Sequence, residues 1–167
     1  MGIEIERKFT VVDESWRSHV AKSARMAQGY LNDMAAMRNG TQKASVRVRI
    51  ADDQAFLNMK SRELGHTRQE FEYEIPKADA ESLLKLCVGG LIEKTRHYVT
   101  HAGFVWEIDV FEGANAGLTV AEIELPSADA VFEAPGWIGR EVTDELRYYN
   151  LSLAERPYSQ WRPEEKR

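Results

Sequence analysis

Pairs of like-charged side chains, two residues apart, recur along this chain. Five segments carry such a pair: Glu4/Glu6, Arg47/Arg49, Glu70/Glu72, Lys94/Arg96 and Glu122/Glu124. In a β-strand, residues i and i+2 point to the same face and lie about 6–7 Å apart. Like charges on one face repel, so a sheet selected only for stability would alternate their signs. The pattern therefore predicts a sheet face that holds something both anionic and metallic.

Eight segments show the alternation of polar and apolar residues that is typical of strands. They are residues 3–12, 28–31, 44–50, 55–60, 69–75, 91–100, 104–111 and 118–125. Few helices are expected: one capped by Asp13, one beginning at Pro76, one from Ser127 to Pro135-Gly136, and one over residues 144–154. Residues 32–42 are predicted to form a loop or hairpin connection, and a polar turn is expected around Gly65 and His66.

This strand content predicts a mainly β protein, and two arrangements fit it. In an open sheet with one wet face, the charges would simply be solvated. In a closed eight-stranded antiparallel barrel, the charged face would line the interior, and helices and loops would cover the apolar outer face. Polar positions that are mostly ionised and clustered by sign on each strand favour the barrel. Its interior must be wet and neutralised by ligands, because a dry buried charge costs several kcal/mol.

Composition sets limits on size, partners and compartment. The 167 residues fit one domain, assigned to residues 1–155, with a polar and loosely held tail over residues 156–167. The net charge of −5 argues against a nucleic-acid partner. Cys87 is the only cysteine, which indicates a reducing compartment. With no apolar run of the about 18 residues that cross a bilayer, we expect a cytoplasmic protein without a membrane partner; outward apolar residues would allow a homodimer.

The two charge sets on the predicted inner face point to different ligands. The basic set suits a polyanion with several phosphate or carboxylate groups; it consists of Lys8, Arg47, Arg49, Lys60, Lys94 and Arg96. The acidic set suits Mg²⁺ or Mn²⁺, which take oxygen ligands and are commonly shared with substrate phosphates; it consists of Glu4, Glu6, Glu70, Glu72, Glu122 and Glu124. A metal-bound polyphosphate would satisfy both sets.

The order of these motifs resembles that of a known family. The segment Glu4-Ile5-Glu6-Arg7-Lys8 matches the E-x-E-x-K signature of the CYTH superfamily, the triphosphate tunnel metalloenzymes. An R-x-R pair, a single lysine, E-x-E, K-x-R, an acidic pair with Asp109, and a last E-x-E follow in the family's order. The resemblance covers roughly residues 3–150. It implies an eight-stranded antiparallel tunnel that binds triphosphate with divalent metal, and it adds Asp109 to the candidate metal ligands.

The chain looks most like a bacterial inorganic triphosphatase, which would hydrolyse tripolyphosphate to pyrophosphate and phosphate. A lysine in a crowded cationic site would have a lowered pKa and could transfer protons, so Lys8 and Tyr30 are the catalytic candidates. Arg147 is predicted to reach the tunnel mouth as a phosphate ligand or, equally, to lie at the surface. Arg68, Glu74 and Glu107 are left unassigned.

Three other functions stay open from the sequence. A class IV-type adenylate cyclase has the same fold and would need a base-binding pocket at the tunnel end. A thiamine triphosphatase is another member of the family. A non-catalytic polyphosphate- or nucleotide-binding module is the third, and it is disfavoured because a pure polyanion binder would gain affinity by losing the carboxylates.

Overall fold

The described residues form one antiparallel sheet that closes on itself. The computed structural model describes residues 2–62 and 67–167, so the turn expected around Gly65 and His66 lies outside the described residues. The strands are β1 (Gly2–Val11), β2 (Val20–Tyr30), β3 (Ala44–Ala51), β4 (Gln54–Ser61), β5 (Thr67–Ile75), β6 (Val88–His101), β7 (Phe104–Phe111), β8 (Thr119–Glu124) and β9 (Ile138–Glu141). Their order is β5-β4-β3-β2-β6-β7-β8-β1-β9, and a further pairing of β5 with β1 closes an eight-stranded barrel. The predicted fold is confirmed.

Strand β1 makes the closure because it meets three other strands. Residues Glu6–Thr10 pair with β8, and Gly2–Ile5 pair with β5 in the register Glu4↔Arg68. Farther along β1, after the residues that pair with β5, Phe9 and Val11 pair with β9. The E-x-E-x-K segment therefore lies at the seam of the barrel, within reach of side chains from both β5 and β8.

The apolar face of the barrel is its outer face, as predicted. Trp16, Trp106 and Ile123 are completely buried outside β1, β7 and β8. The indole rings of Trp106 and Trp137 meet edge to face, with centroids 5.7 Å apart. Because this outer layer supplies the hydrophobic core, the interior of the barrel is left to polar side chains.

Short helices cover the ends and the remaining outer face. Helix α1 is Met34–Asn39, α2 is Lys77–Leu84 and α3 is Asn150–Glu155, with 3₁₀ turns at Ser15–His19 and Leu146–Tyr148. Helix α1 overturns the loop predicted for residues 32–42: the Asp33 carboxylate accepts from the Ala35 and Ala36 N–H groups, and Gly40 ends the helix at φ 83°. No described helix is long and apolar enough to cross a membrane.

Two predicted helices are wrong in whole or in part. The Ser127 hydroxyl donates to the Asp129 carboxylate, and residues 127–135 contain no helix. The helix predicted over residues 144–154 is interrupted at Tyr149, whose ψ of 143° is extended. That interruption turns the side chains before and after it in different directions, which matters for the site.

The C-terminal segment packs against the barrel, contrary to the expected loose tail. Trp161 is 5% exposed and meets the rings of Tyr148 and Tyr158 at centroid distances of 5.1 Å and 5.0 Å. The Tyr158 N–H donates to Asn115 Oδ1 at 2.8 Å, and Arg156 forms an ion pair with Glu165. Residues 156–167 thus share the core that covers one end of β6 and β8.

Candidate functional site

A cavity of about 1420 Å³ occupies the barrel interior. Side chains from strands β1 to β8 line its wall, with Glu107 as the residue contributed by β7. Residues of α1 and α3 line one end. Most candidate residues lie on this wall: Glu4, Glu6, Lys8, Tyr30, Arg47, Arg49, Lys60, Glu70, Glu72, Arg96, Glu122 and Glu124. The period-two reading of each strand therefore placed these side chains on one shared surface.

Arg47 and Arg49 of β3 have no carboxylate within 4.0 Å among the described residues, unlike the other buried cations of the wall. They are 6% and 8% exposed. Arg47 Nε is buried without a hydrogen bond, and Arg49 Nε donates to Gln28 Oε1 at 2.8 Å. Burial, together with the charges of Arg47 and Arg96, lowers the pKa of Arg49 to about 9. Two neighbouring buried guanidinium groups without a carboxylate partner have the charge and the free donors that an anion requires.

Lys60 of β4 lies among carboxylates of β1 and β5. Its Nζ is 3.1 Å from both Glu4 oxygens and 3.6 Å from Glu70 Oε2. Lys60 and Glu70 are directly opposite each other in the β4–β5 register. Asn58 Nδ2 holds the same Glu70 oxygen at 3.1 Å. The ammonium therefore acts as counter-ion to carboxylates from two different strands.

Lys8 has a similar position farther along β1. Its Nζ forms an ion pair with Glu122, lies 3.8 Å from Glu6 Oε1 and is 4.7 Å from the ring centre of Tyr149. Burial acts to lower the pKa of Lys8, but Glu122 and Glu6 outweigh it and raise the pKa above its ordinary value. The pKa of Lys8 is thus shifted in the direction opposite to the one expected, which favours its ammonium form.

Glu4 and Glu6 form a coupled carboxyl pair. Burial first, then a hydrogen bond to Glu6 and the charge of Glu70, raise the pKa of Glu4 to about 9 in spite of Lys60. Burial also disfavours ionised Glu6, but Lys60, Lys8 and the hydrogen bond from Glu4 lower its pKa to about 2. Two carboxyl groups on the same face of β1 therefore have pKa values shifted in opposite directions.

Asp109 and Lys94 lie behind the cavity wall rather than on it. Asp109 holds Arg96 through two hydrogen bonds, Nε to Oδ1 at 2.7 Å and Nη2 to Oδ2 at 2.9 Å. Lys94 is completely buried, with Nζ 2.7 Å from Asp109 Oδ2 and 3.4 Å from Asn150 Oδ1. Burial lowers the pKa of Lys94 to about 7, while Arg96 and Lys94 hold that of Asp109 at about 2 against its burial. In this structure both residues support Arg96 and neither lines the cavity, and their predicted roles, phosphate binding for Lys94 and metal binding for Asp109, stay predictions.

The residues that reach the cavity near the last helix differ from the predicted Arg147. Arg147 is outside the cavity wall, where it pairs with Glu145 at 2.8 Å and covers the rings of Tyr148 and Trp161. Of the two positions that the sequence left open for Arg147, the structure shows the one outside the tunnel, and its role as a phosphate ligand stays a prediction. Because the chain is extended at Tyr149, it is Tyr149 and Asn150 that face the cavity.

Sequence reasoning left other wall residues unassigned. Arg68 and Glu107 line the cavity, and Glu74 does not. Arg68 lies over the Tyr149 ring at 4.8 Å, and Glu107 forms an ion pair with Arg96. The signal for Arg68 was its position two residues before Glu70 on the same strand. The signal for Glu107 was its position two residues before Asp109.

The donor chemistry of the seam fits Mg²⁺ or Mn²⁺. Glu4, Glu6, Glu70 and Glu124 supply carboxylate oxygens, the ligand type these ions take, and Glu4 Oε2 is buried without a hydrogen bond. As the side chains stand, residues 2–62 and 67–167 contain no group of three or more His, Cys, Asp or Glu placed to hold an ion. The ammonium groups of Lys8 and Lys60 lie close to these carboxylates, at 3.8 Å from Glu6, 3.1 Å from Glu4 and 3.6 Å from Glu70.

Comparison with known proteins gives consistent matches. The CYTH domain matches residues 2–158. An inorganic triphosphatase of Acetivibrio thermocellus is 44% identical over 163 residues, which cover 97% of this chain and 99% of that protein. An inorganic triphosphatase of Nitrosomonas europaea is 36% identical over 154 residues, covering 90% of this chain and 96% of that protein. The crystal structure of the inorganic triphosphatase NE1496 superposes with a TM-score of 0.63 at 33% identity, over 90% of this chain and 93% of that one.

Proposed function

Because this chain belongs to the CYTH domain family, we propose that it is a divalent-metal-dependent hydrolase that splits inorganic triphosphate into pyrophosphate and orthophosphate. Two of its relatives are named inorganic triphosphatases and align with at least 90% of its length. A charged tunnel that places cations and carboxylates on one wall supports this reaction, since phosphoryl transfer depends on positioning and charge neutralisation.

The observation that carries the proposal is the separation of the two charge sets. Among the described residues, Arg47 and Arg49 are buried without a carboxylate within 4.0 Å, whereas the ammonium groups of Lys8 and Lys60 are balanced by Glu4, Glu70 and Glu122. An anion would gain most of its charge-assisted hydrogen bonds from the arginine side. The carboxylates Glu4, Glu70 and Glu122 would then be left for the end of the anion that carries a metal ion.

Glu4, Glu6, Glu70 and Glu124 would hold the ion. When bound, Mg²⁺ or Mn²⁺ neutralises phosphate charge and lowers the pKa of coordinated water. Arg47 and Arg49 would bind and orient the non-transferred phosphates. Arg96, fixed by Asp109, would donate to oxygens whose charge grows as the bond to the leaving pyrophosphate breaks.

Proton movement would fall to groups on the same wall. Lys8 stays protonated next to Glu122 and Glu6, so it would donate a hydrogen bond and stabilise the developing charge. Tyr30 lines the cavity with 5% of its surface exposed and would contribute its hydroxyl at the arginine side, since it pairs with Arg47 in the β2–β3 register.

One assay tests the function. Metal-stripped protein is supplied with Mg²⁺ or Mn²⁺ and with tripolyphosphate, thiamine triphosphate or ATP, while orthophosphate, pyrophosphate and cyclic AMP are measured. We expect orthophosphate and pyrophosphate from tripolyphosphate, only with metal, and loss of that product in Glu6→Gln but not in Glu81→Gln, which removes an exposed carboxylate of α2. Cyclic AMP from ATP would contradict the proposal, and no product from any substrate would indicate a binding module.

A further inference from the structure

Lys60 lies where the carboxylates of the seam converge. Its Nζ is equidistant, at 3.1 Å, from the two oxygens of Glu4, and 3.6 Å from Glu70 Oε2. Carboxylate oxygens on two sides of one cation are the surroundings that a divalent ion requires. Lys60 therefore fills, with its own charge, the position at which Glu4 and Glu70 would share an ion.

Lys8 does not compete for the same oxygens. It is engaged with Glu122 and Glu6, and its ammonium also lies over the Tyr149 ring. Lys8 is 2% exposed, whereas the Lys60 side chain is 16% exposed and opens to the cavity. Of these two lysines, Lys60 is the one with room to move.

An alternative partner for Lys60 lies on the neighbouring strand. In the β3–β4 register, Lys60 is opposite Ser45, and Arg47 is opposite Asn58, so Arg47 is a diagonal neighbour of Lys60 on the inner face. Diagonal neighbours on one face are within reach of long side chains. An anion bound to Arg47 and Arg49 would therefore offer Lys60 a negative charge to replace that of Glu4 and Glu70.

We infer that Lys60 is a built-in counter-ion that keeps divalent metal out of the empty tunnel and gives up its position when a polyphosphate binds. An ammonium and a divalent ion at the same oxygens repel, so metal alone must displace Lys60 without compensation. With a polyphosphate present, Lys60 moves to the anion, and Glu4 and Glu70 become free for the ion. The inference rests on the proposed function and adds an order to it: metal enters with the anion, not before it.

The test measures metal binding without substrate. Mn²⁺ is titrated into metal-stripped protein in the absence of phosphate, and free Mn²⁺ is followed by electron paramagnetic resonance. We expect weak binding by the wild-type protein and at least about tenfold tighter binding by Lys60→Met, which removes the ammonium but keeps the length of the side chain. Lys60→Arg, which keeps the charge, should bind as weakly as wild type.

Two controls make the result specific. Lys77→Met removes the same charge from the exposed surface of α2 and should leave Mn²⁺ affinity unchanged. Lys60→Gln replaces Lys60→Met if circular dichroism shows that the methionine variant is unfolded. Equal affinities of wild type and both neutral variants would overturn the inference, as would tight Mn²⁺ binding by the wild-type protein without an anion.

The outcome for Lys60 can be separated from the outcome for the proposed function. If the wild-type protein hydrolyses tripolyphosphate but the neutral variants gain no Mn²⁺ affinity, the function stands and the counter-ion role fails. If the variants gain affinity but no wild-type hydrolysis is found, the counter-ion role stands and the function fails.

Discussion

Both carboxylate oxygens of Asp109 accept hydrogen bonds from the guanidinium of Arg96, at 2.7 Å and 2.9 Å. One of these oxygens also accepts from Lys94 Nζ at 2.7 Å. Asp109 is 1% exposed, so the carboxylate that holds both cations is itself buried. The arrangement makes Asp109 a support for Arg96 and predicts a large structural cost when it is lost.

Asp109→Ala should lower the free energy of unfolding by about 3–5 kcal/mol, because it removes the carboxylate paired with the buried Lys94 and leaves Arg96 to Glu107 and Glu122 alone. Urea unfolding followed by circular dichroism measures this cost. Glu14→Ala, which removes a carboxylate from the exposed pair with Arg17, should change it by less than about 1 kcal/mol. Equal effects of the two substitutions would contradict the buried bridge.

Arg47→Met should reduce kcat/KM for tripolyphosphate by about 100-fold or more, since it removes a preorganised donor to the phosphates. The same change should leave the folded protein equally or more stable, because Arg47 has a buried Nε without a hydrogen bond and repels Arg49. Thermal unfolding and steady-state kinetics test both halves. A loss of stability with unchanged kinetics would assign Arg47 to the framework instead.

Metal-free protein should lose stability as pH rises between about 4.5 and about 9 through the Glu4 carboxyl, whose pKa is raised to about 9 by burial and by Glu6. The folded state binds this proton more tightly than the unfolded state, so the stabilisation is complete below the unfolded pKa and disappears as pH passes the folded pKa. Glu6, with its pKa lowered to about 2, titrates outside this interval.

The comparison is between wild type and Glu4→Gln, unfolded in urea at pH 5, 7 and 9 with a chelator present. The wild-type curve should fall relative to that of the variant as pH rises. Parallel curves would show that Glu4 ionises normally in the folded protein.

Tyr30→Phe should lower turnover of tripolyphosphate by about 10- to 100-fold if its hydroxyl takes part in proton transfer, with little change in unfolding temperature. Tyr149→Phe is the matched comparison. The Tyr149 hydroxyl donates to the Thr143 carbonyl at 2.6 Å, so its loss should reduce stability more than turnover. Full turnover by Tyr30→Phe would remove Tyr30 from the mechanism.

Trp161→Ala should destabilise the protein by about 3–5 kcal/mol, as expected for a large buried aromatic side chain. Its 5% exposure and its edge-to-face contacts with Tyr148 and Tyr158 are the reason. Glu164→Ala, in the exposed part of the same segment, should change stability by no more than about 0.5 kcal/mol. A small effect of Trp161→Ala would instead support the expectation that residues 156–167 are loosely held.

The inner face was predictable because a strand has a fixed period of two. Glu4 and Glu6, or Arg47 and Arg49, had to share a face whatever the register, and their charge made that face the interior. Strand β2 was mostly missed because both of its faces mix polar and apolar residues: Ala21, Ser23 and Arg25 alternate with Lys22, Ala24 and Met26. Strand β9 was missed because its four residues depend on pairing with β1 for their conformation.

The depth of a side chain within the wall was not predictable. Lys94 and Arg96 have the same parity, yet Lys94 is completely buried behind the wall while Arg96 lines the cavity. The difference arises from Asn150 and Phe111, which contact Lys94 from α3 and β7. Arg147 shows the same limit, since the extended backbone at Tyr149 directs it away from the tunnel.

Strand β1 is the earliest in sequence and the latest to be completed. Its partners extend from Thr67 in β5 to Glu141 in β9, so each of its pairings closes a long loop, and such contacts form slowly. On a ribosome, the partners of Gly2–Ile5 in β5 would appear first, whereas Glu6–Val11 would wait for β8 and β9 until nearly the whole chain had been synthesised. A truncated chain would therefore lack a closed wall, and with it the assembled Glu4 and Glu6 site, so incomplete products would carry no trace of the activity.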